Sequence, residues 1–241
     1  DVIVVGAGTA GIPAAGFAAS RGARVLMLDA ADRIGGTLFL SGGNMSAGGT
    51  RVQTAKGIKD SPDRHYDDIM RISRGSADPT MVRLAVDHAP DTIHWLLDIG
   101  FEMLPEMPVI NHGHEAYSTA RTYWGPKLGL SVLESIAPWL QGFIDSRQVT
   151  LQLNTKLAGL RQDTDRNIVG AVIKGPDNVH RVVSADNYVL TTGGYTANRA
   201  LFPMLNGGHP LYALGSENSM GDGVLIVTGA GGYVRGGEMI M

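Results

Sequence analysis

The 241-residue sequence contains no cysteine. Disulfides, thiolate zinc sites and cysteine-ligated iron–sulfur clusters are therefore excluded within this chain. A basic surplus is also missing, because 20 Lys and Arg stand against 23 Asp and Glu for a net charge of −3, which disfavours nucleic-acid binding. No apolar run approaches the roughly 18 residues that a membrane helix needs. Since no basic segment precedes the first apolar run, no signal peptide is evident. We expect a soluble protein or a soluble piece of one, in the cytoplasm unless a segment has been removed upstream.

Glycine, in contrast, is abundant. It accounts for 33 of the 241 residues, nearly twice its usual share of about 7%. Such a content indicates loops in which the backbone itself binds a ligand, or unusually tight packing. The length suits one globular domain or two small ones, and it is sufficient to bury a real core.

The first thirty residues have the pattern of a βαβ unit. The apolar run 2–5 predicts a short buried parallel strand. The Ala-rich segment 12–20 predicts a helix, and the segment 24–29 predicts a second strand. A turn of sequence Gly-Ala-Gly-Thr-Ala-Gly joins the first strand to the helix. Dinucleotide-binding folds are built on this unit of strand, turn, helix and strand.

Three glycines of this turn have the spacing Gly6-x-Gly8-x-x-Gly11. In a dinucleotide site the first permits the tight turn, the second lets the backbone approach a pyrophosphate, and the third lets the helix pack closely on the strand. Asp29 ends the second strand, where an acid accepts ribose hydroxyls, and its charge argues against a 2′-phosphate. We predict a dinucleotide site, with a turn that serves only packing as the alternative. These residues leave FAD and NAD both open.

The rest of the sequence predicts an α/β fold with an inserted helical segment. Helices are expected over 61–73, 78–100 and 130–144, and short strands over 149–153, 168–173, 179–183 and 188–190. Asp78 and Pro79 have the pattern of a helix N-cap and first helical residue. We expect one domain over 1–241, with a Rossmann-like parallel sheet, a β-meander and a helical insertion at about 55–146.

Further glycine pairs distinguish the chain from an ordinary NAD-binding domain, which would turn into its next helix after the second strand. The motifs are Ile-Gly-Gly-Thr at 34–37, Ser-Gly-Gly at 41–43, Thr-Thr-Gly-Gly-Tyr at 191–195 and Gly-Asp-Gly at 221–223. With the first glycine motif and Asp29, they give the chain a resemblance to the flavoprotein-subunit family of succinate dehydrogenase and fumarate reductase. That family includes soluble fumarate reductases, urocanate reductases and 3-ketosteroid dehydrogenases. The resemblance extends from residue 1 to about residue 235.

The resemblance implies an FAD site with roles for named residues. The pyrophosphate and ribityl chain are expected at Gly6, Gly8, Thr9, Ala10, Gly11, Gly35, Gly36 and Thr37, and the adenosine at Asp29, Lys156 and Leu157. Ser41, Gly42, Gly43 and Met45 are expected near the isoalloxazine, while Thr191, Thr192, Gly193, Gly194 and Asp222 close the pocket. Relatives with a covalent flavin carry a His near 36–37. This sequence has Thr37 and no His before His65, so we expect non-covalent FAD.

The resemblance also implies a reaction. A hydride would pass between flavin N5 and a carbon–carbon bond of a small carboxylate such as fumarate or succinate, or of a ketosteroid. In the family, the residues that bind and protonate the substrate follow a segment similar to 230–241. The chain is therefore expected to be the N-terminal half of such an enzyme, with unassigned catalytic residues, no metal, and no sustained turnover without the other half or a second chain. An NAD-binding dehydrogenase domain is the remaining alternative.

One polar and aromatic cluster outside the glycine motifs attracts attention. His112, Gly113, His114 and Glu115 precede Arg121 in a segment predicted as a loop. A metal site is disfavoured there because no fourth ligand is evident. Contact of His114 or Arg121 with a substrate is one hypothesis, and a solvated loop held by its aromatic residues is the alternative.

Overall fold

The computed structural model describes residues 1–111, 116–209 and 216–235. Its strands are β1 (Val2–Val5), β2 (Val25–Leu28), β3 (Met45–Ser46), β4 (Thr122–Tyr123), β5 (Val149–Gln152), β6 (Lys156–Gln162), β7 (Ile168–Lys174), β8 (His180–Val183) and β9 (Asn187–Leu190). Its α-helices are α1 (Gly11–Ser20), α2 (Arg51–Ala55), α3 (Pro62–Ile72), α4 (Pro79–Asp98), α5 (Gly129–Asp145), α6 (Leu201–Leu205) and α7 (Asp222–Gly229). A short 3-10 helix, Gly36–Phe39, follows β2.

The chain divides into two compact units. The first comprises Asp1–Leu40 and Ala137–Met241, and the second is Ser41–Ile136. Helix α5 begins in the second unit and ends in the first. Among the described helices, none combines the length and the apolar character that crossing a bilayer requires.

A parallel sheet of four strands forms the centre of the first unit. Its order is β5-β2-β1-β9, and in this register Val2 lies between Val25 and Asn187. Strands β6, β7 and β8 form a separate antiparallel meander. The strand predicted at 149–153 belongs to the parallel sheet, beside β2. The predicted α/β class, with a parallel sheet and a meander, is confirmed.

The parallel sheet is covered on both faces. Ile3 and Val5 pack with Leu157 and Ile173 of the meander in one buried cluster. Because side chains alternate along a strand, the fully buried Val4 faces the opposite side, where α1 lies against the strands. Burial on both faces explains why these strands have continuous apolar sequences.

Helix α1 approaches its neighbours more closely than any side chain would permit. A Cβ on Gly11 would lie 1.7 Å from the carbonyl oxygen of Gly6, and a Cβ on Gly16 would lie 2.1 Å from the ring of Trp139. Real Cβ contacts are never this short, so both positions require glycine. The third role assigned to the glycine motif, close packing of helix on strand, is therefore visible in the backbone.

Local capping signals determine where helices of the second unit begin. Asp78 accepts hydrogen bonds from the N–H groups of Thr80 and Met81, so the predicted N-cap of α4 is confirmed. Helix α2 was not predicted. Its capping box, in which Thr50 and Gln53 exchange side-chain and backbone hydrogen bonds, is nevertheless readable as Thr-x-x-Gln in the sequence.

We expect Gly11→Ala to lower the free energy of unfolding by at least about 2 kcal/mol, because the new methyl group displaces α1 from β1. Gly142→Ala is the matched control: no atom in the described parts of the chain lies within 4 Å of its Cβ position on α5. Helix propensity predicts a gain of about 0.5 to 1 kcal/mol for this variant. Urea unfolding followed by circular dichroism measures both variants. Equal stability of the two would contradict the packing described for Gly11.

Candidate functional site

A cavity of about 1120 Å³ opens in the first unit beyond the carboxyl ends of β1 and β9. Ligands of open α/β sheets bind outside these strand ends, and the volume is just above the usual range for cofactor sites, about 300 to 1,000 Å³. Most of the predicted binding residues line the cavity, namely Gly6, Gly8, Thr9, Ala10, Asp29, Gly36, Thr37, Lys156, Leu157, Thr191, Thr192, Gly193 and Asp222. Segments far apart in the sequence therefore meet at one place.

Three other predicted residues lie in the same unit but outside the cavity wall. Gly11 is buried in the contact between α1 and β1. The N–H of Gly35 donates to the carbonyl oxygen of Ala7 at 2.7 Å, and the carbonyl of Gly194 accepts from the N–H of Gly221 at 3.1 Å. These glycines hold the loops that form the wall.

The remaining predicted residues, Ser41, Gly42, Gly43 and Met45, lie in the second unit. The hydroxyl oxygen of Ser41 accepts from the N–H of Gly43 at 3.0 Å. Gly43 has a φ of +67°, and a Cβ there would lie 2.6 Å from the carbonyl oxygen of Leu128. Packing inside the unit thus requires Gly43, and the contact of this segment with the isoalloxazine stays a prediction.

The first two glycines of the motif have different reasons for lacking a side chain. Gly6 has a φ of +105°, and a Cβ there would lie 2.3 Å from the carbonyl oxygen of Thr191. At Gly8 the only atom of the described residues within 4 Å of a Cβ would be the Cα of Gly36, at 3.9 Å. The protein's own packing therefore requires glycine at position 6 but not at position 8. The space at Gly8 faces the cavity and is open to a ligand.

Unpaired backbone donors surround this space. The N–H groups of Gly8, Thr9 and Ala10 donate to no acceptor within the described parts of the chain. They immediately precede α1, whose first turn carries no acidic side chain. The positive end of the helix dipole and free N–H groups together favour an anion. The geometry at this point fits a phosphate group.

Asp29 connects the cavity to the glycine turn. One carboxylate oxygen accepts from the N–H of Ala7, and the other accepts from the N–H of Ala31 at 2.7 Å. Each oxygen keeps a lone pair, because a carboxylate offers about four acceptor sites. The backbone therefore fixes the orientation of Asp29 while its remaining acceptor sites suit hydroxyl groups of a ribose.

An ion pair that the sequence did not reveal spans the cavity wall. The ammonium group of Lys156 lies 2.9 Å from the carboxylate of Asp222, so β6 is joined to the start of α7. Gly223 permits this helix to come close, since a Cβ there would lie 2.2 Å from the hydroxyl of Thr192. The resemblance predicted Lys156 as a residue near the adenosine and said nothing of its side chain. No short-range sequence pattern indicates a partner 66 residues away.

Thr191 supports the glycine turn from the neighbouring strand. Its hydroxyl group donates to the carbonyl oxygens of Val5 and Gly6, both at 2.9 Å. The predicted role in closing the pocket is therefore accompanied by a structural one. Thr191 fixes the point at which the chain leaves β1 and enters the phosphate-binding turn.

Comparisons with known proteins agree with this geometry. The family model described as FAD binding domain matches residues 1–241. The chain belongs to this family of FAD-binding domains. The match decides for FAD and against the NAD alternative. The predicted resemblance to fumarate reductase flavoproteins and their relatives is confirmed.

Curated relatives of this FAD-binding domain are longer than the chain. A fumarate reductase (cytochrome) of Shewanella frigidimarina is 29% identical over 239 residues, which are 98% of this chain and 40% of that protein. The acrylate reductase flavoprotein subunit of Shewanella woodyi is 35% identical over 210 residues, 82% of this chain and 40% of that protein. The chain thus spans about 40% of the length of these relatives.

Solved structures show the same fold. An open conformation of a flavocytochrome c3 fumarate reductase superposes with a TM-score of 0.83 at 28% identity, over 95% of this chain and 40% of that one. A 3-ketosteroid-Δ4-(5α)-dehydrogenase of Rhodococcus jostii superposes with a TM-score of 0.81 at 24% identity, over 99% of this chain and 55% of that one. The second likeness carries information on the fold alone.

Arg121 of this FAD-binding domain is not placed to contact a substrate. Its guanidinium group is fully buried in the second unit and forms ion pairs of 2.9 Å with both Asp60 and Asp68. The expected substrate contact of Arg121 is contradicted, because two carboxylates hold its buried side chain inside the unit. The side chain is not solvated either, but its guanidinium group lies over the ring of Tyr117, 5.1 Å from the centroid, in agreement with the aromatic part of the alternative. His112, Gly113, His114 and Glu115 lie outside the described residues. Within the described ranges, no three His, Asp or Glu side chains are grouped to hold a metal ion.

His65 lies beside this buried cluster. Only 3% of the residue is exposed, and neither ring nitrogen has a hydrogen-bond partner in the part of the chain that the structure describes. Burial, followed by the charge of Arg121, lowers the pKa of His65 to about 4, although Asp60 and Asp68 oppose the shift. The ring meets Tyr117 edge-on, with 5.4 Å between ring centroids. The folded protein therefore favours neutral His65.

We expect Gly8→Val to lower the affinity for FAD at least about 100-fold, because a branched side chain occupies the space open to the pyrophosphate. The melting temperature should stay within about 3 °C of the parent, since this space is empty of protein atoms. Gly142→Ala, remote from the cavity, is the control for both measurements. Retention of full FAD affinity by Gly8→Val would place the phosphate site elsewhere.

We also expect acid to destabilise the second unit through His65. A folded pKa near 4, below the unfolded value of 6.5, means that the contribution of His65 is fully present above pH 6.5 and is lost as the pH falls towards 4. The loss is about 2 kcal/mol after allowance for solvent screening. His65→Leu and His65→Asn should both remove this part of the pH dependence in urea unfolding at pH 7, 6, 5 and 4. If the free energy of unfolding depends on pH in both variants as it does in the parent, His65 does not titrate as described.

Proposed function

We propose that the cavity of the first unit binds FAD non-covalently through the backbone of the glycine turn. The observation that carries this proposal is the open space at Gly8 beside the unpaired N–H groups of residues 8–10. Pyrophosphate oxygens are strong acceptors, and donors with fixed geometry at a helix start bind them without reorganisation. Asp29 would hold the adenosine ribose, and the start of β6 at Lys156 would border the adenine.

Non-covalent binding is supported by the residue types in the wall. Covalent attachment requires a nucleophilic side chain beside the flavin, and the family's His is replaced by Thr37. No histidine lines the cavity among the described residues, and cysteine is absent from the chain. The tyrosines of the wall, Tyr195 and Tyr233, are far in sequence from the segment near Thr37 in which the covalent relatives carry their His. The cofactor would therefore be retained by contacts alone.

We further propose that the whole protein reduces or forms a carbon–carbon double bond next to a carboxylate. When bound, FAD supplies the two-electron chemistry, while the protein supplies position and electrostatics. Relatives named as fumarate, acrylate and urocanate reductases support this substrate class. A ketosteroid is the second candidate, because the glycine motifs resemble those of a family that includes 3-ketosteroid dehydrogenases.

The described residues would contribute binding and orientation. The backbone at Gly8, Thr9 and Ala10 would hold the pyrophosphate in the middle of the cofactor, and the ion pair of Lys156 with Asp222 joins β6 to the start of α7 in the cavity wall. Such preorganisation holds the reactive ring where a substrate carbon can approach it. Arg121 is occupied by Asp60 and Asp68, so the substrate carboxylate and the proton donor are assigned to residues other than Arg121.

The first test is titration of the purified protein with FAD, followed by acid precipitation. We expect binding of one FAD per chain and complete release of the yellow colour into the acid supernatant. FMN, which lacks the adenylate part, is the control ligand and should bind much more weakly because Asp29 and β6 lose their contacts. Colour that remains with the precipitate would contradict non-covalent binding, and failure to bind FAD would contradict the proposed site.

The second test addresses the reaction on the full product of the gene. Fumarate, acrylate, urocanate and a 3-ketosteroid are each offered with a reduced dye, and dye oxidation is followed by absorbance. With one of the carboxylates, the rate of dye oxidation should be proportional to the concentration of the full protein. The 241-residue chain alone should show no sustained turnover. Exclusive activity on the ketosteroid would favour the second candidate. A cytoplasmic location remains part of the proposal, and cell fractionation tests it.

A further inference from the structure

Two side chains, Arg33 and Phe39, form a stacked pair in the wall of the cavity. Arg33 and Phe39 both line the cavity, and Cζ of Arg33 lies 4.2 Å from the centroid of the Phe39 ring. The two residues flank the Gly35–Gly36 turn in the sequence. A Cβ on Gly36 would lie 3.3 Å from the Cα of Gly8, so this turn lies directly against the phosphate-binding turn.

The charges in the wall distinguish Arg33 from the other cations. Lys156 is neutralised by Asp222 at 2.9 Å, and Arg235 has an interaction partner of its own. Arg33 forms no ion pair with any carboxylate in the described ranges, and its described contact is the face of Phe39. An exposed cation beside a cavity for a doubly charged pyrophosphate is therefore available to that ligand.

We propose that Arg33 is the cationic ligand of the FAD pyrophosphate and that Phe39 positions its guanidinium group. This inference rests on the proposed FAD site, and it adds a side-chain charge to a site otherwise built from backbone. A guanidinium group is planar, so it stacks on an aromatic ring while its N–H edges stay directed outward. Two parallel N–H donors match two phosphate oxygens, and such charge-assisted pairs are among the strongest hydrogen bonds.

The stack also explains an exposed aromatic residue. Phe39 is 37% exposed and Leu40, which follows it, is 63% exposed, although both are large and apolar. A ring at the cavity edge limits the rotamers of Arg33 before the ligand arrives, which reduces the entropy lost on binding. Phe39 is therefore exposed because it positions Arg33 for the ligand, and it is not a core residue.

The chain provides a matched control for this pair. Arg21 lies over the ring of Phe17, with Cζ 5.7 Å from the centroid, and its guanidinium also donates to the carbonyl oxygen of Phe17 at 2.9 Å. This second Arg–Phe pair, with Arg21 exposed and Phe17 half-buried, is at the end of α1, outside the lining of the cavity. Arg21→Gln therefore changes the net charge as Arg33→Gln does, without altering the wall.

The experiment is FAD titration, by quenching of flavin fluorescence, of the parent, Arg33→Gln, Arg33→Lys, Phe39→Leu and Arg21→Gln at several salt concentrations. We expect Arg33→Gln to weaken FAD binding at least about tenfold and to reduce the salt dependence of the dissociation constant, which a purely structural residue would not change. Arg33→Lys should be intermediate. Phe39→Leu should lose about two- to fivefold, and Arg21→Gln should stay within about twofold of the parent.

The outcomes separate this inference from the FAD proposal. If the parent binds FAD, and the dissociation constant of Arg33→Gln stays within twofold of the parent value with the same salt dependence, the role of Arg33 is overturned. The proposed FAD site is not affected by that result. Equal losses in Arg33→Gln and Arg21→Gln also overturn the role of Arg33, because general charge would then explain both. Failure of the parent to bind FAD overturns the FAD proposal itself. Melting temperatures show which variants fold. If Arg33→Gln does not fold, the FAD affinities of Arg33→Lys and Phe39→Leu test the role of Arg33 instead.

Discussion

The close approach of two backbone segments determines most of the first unit. Helix α1 lies so near to β1 that Gly11 has only 1.7 Å between its Cβ position and the carbonyl oxygen of Gly6. The hydroxyl of Thr191, donating to Val5 and Gly6, fixes the same turn from β9. Three elements are thereby joined where β1 ends. The direction of α1, the position of the cavity and the donors at its edge all follow from this contact.

The same contact indicates how the proposed site would hold the phosphates of a charged cofactor through its backbone. Because α1 begins immediately beyond the turn, the N–H groups of Gly8, Thr9 and Ala10 are left without acceptors among the described residues. In the proposed site these donors would bind the phosphates, and the absent side chain of Gly8 would supply the space. Asp29, held by Ala7 and Ala31, would accept from ribose hydroxyl groups in that site, away from the pyrophosphate.

Sequence patterns predicted the features that depend on neighbours along the chain. The glycine spacing, the βαβ unit and the N-cap at Asp78 are local, and they were predicted correctly. The capping box of Thr50 and Gln53 is equally local, and it was overlooked. The burial of Arg121 between Asp60 and Asp68 and the ion pair of Lys156 with Asp222 join residues tens of positions apart. Composition and periodicity contain no information on such pairs, so only the three-dimensional structure revealed them.

In the proposed site, the N–H groups before α1 bind the pyrophosphate. A crystal structure of the chain with bound FAD gives the distances from pyrophosphate oxygens to the backbone nitrogens of Gly8, Thr9 and Ala10. We expect at least two of these distances within the range of N–H···O hydrogen bonds, about 2.7 to 3.2 Å. A pyrophosphate bound elsewhere, with these N–H groups facing only water, would contradict this proposal.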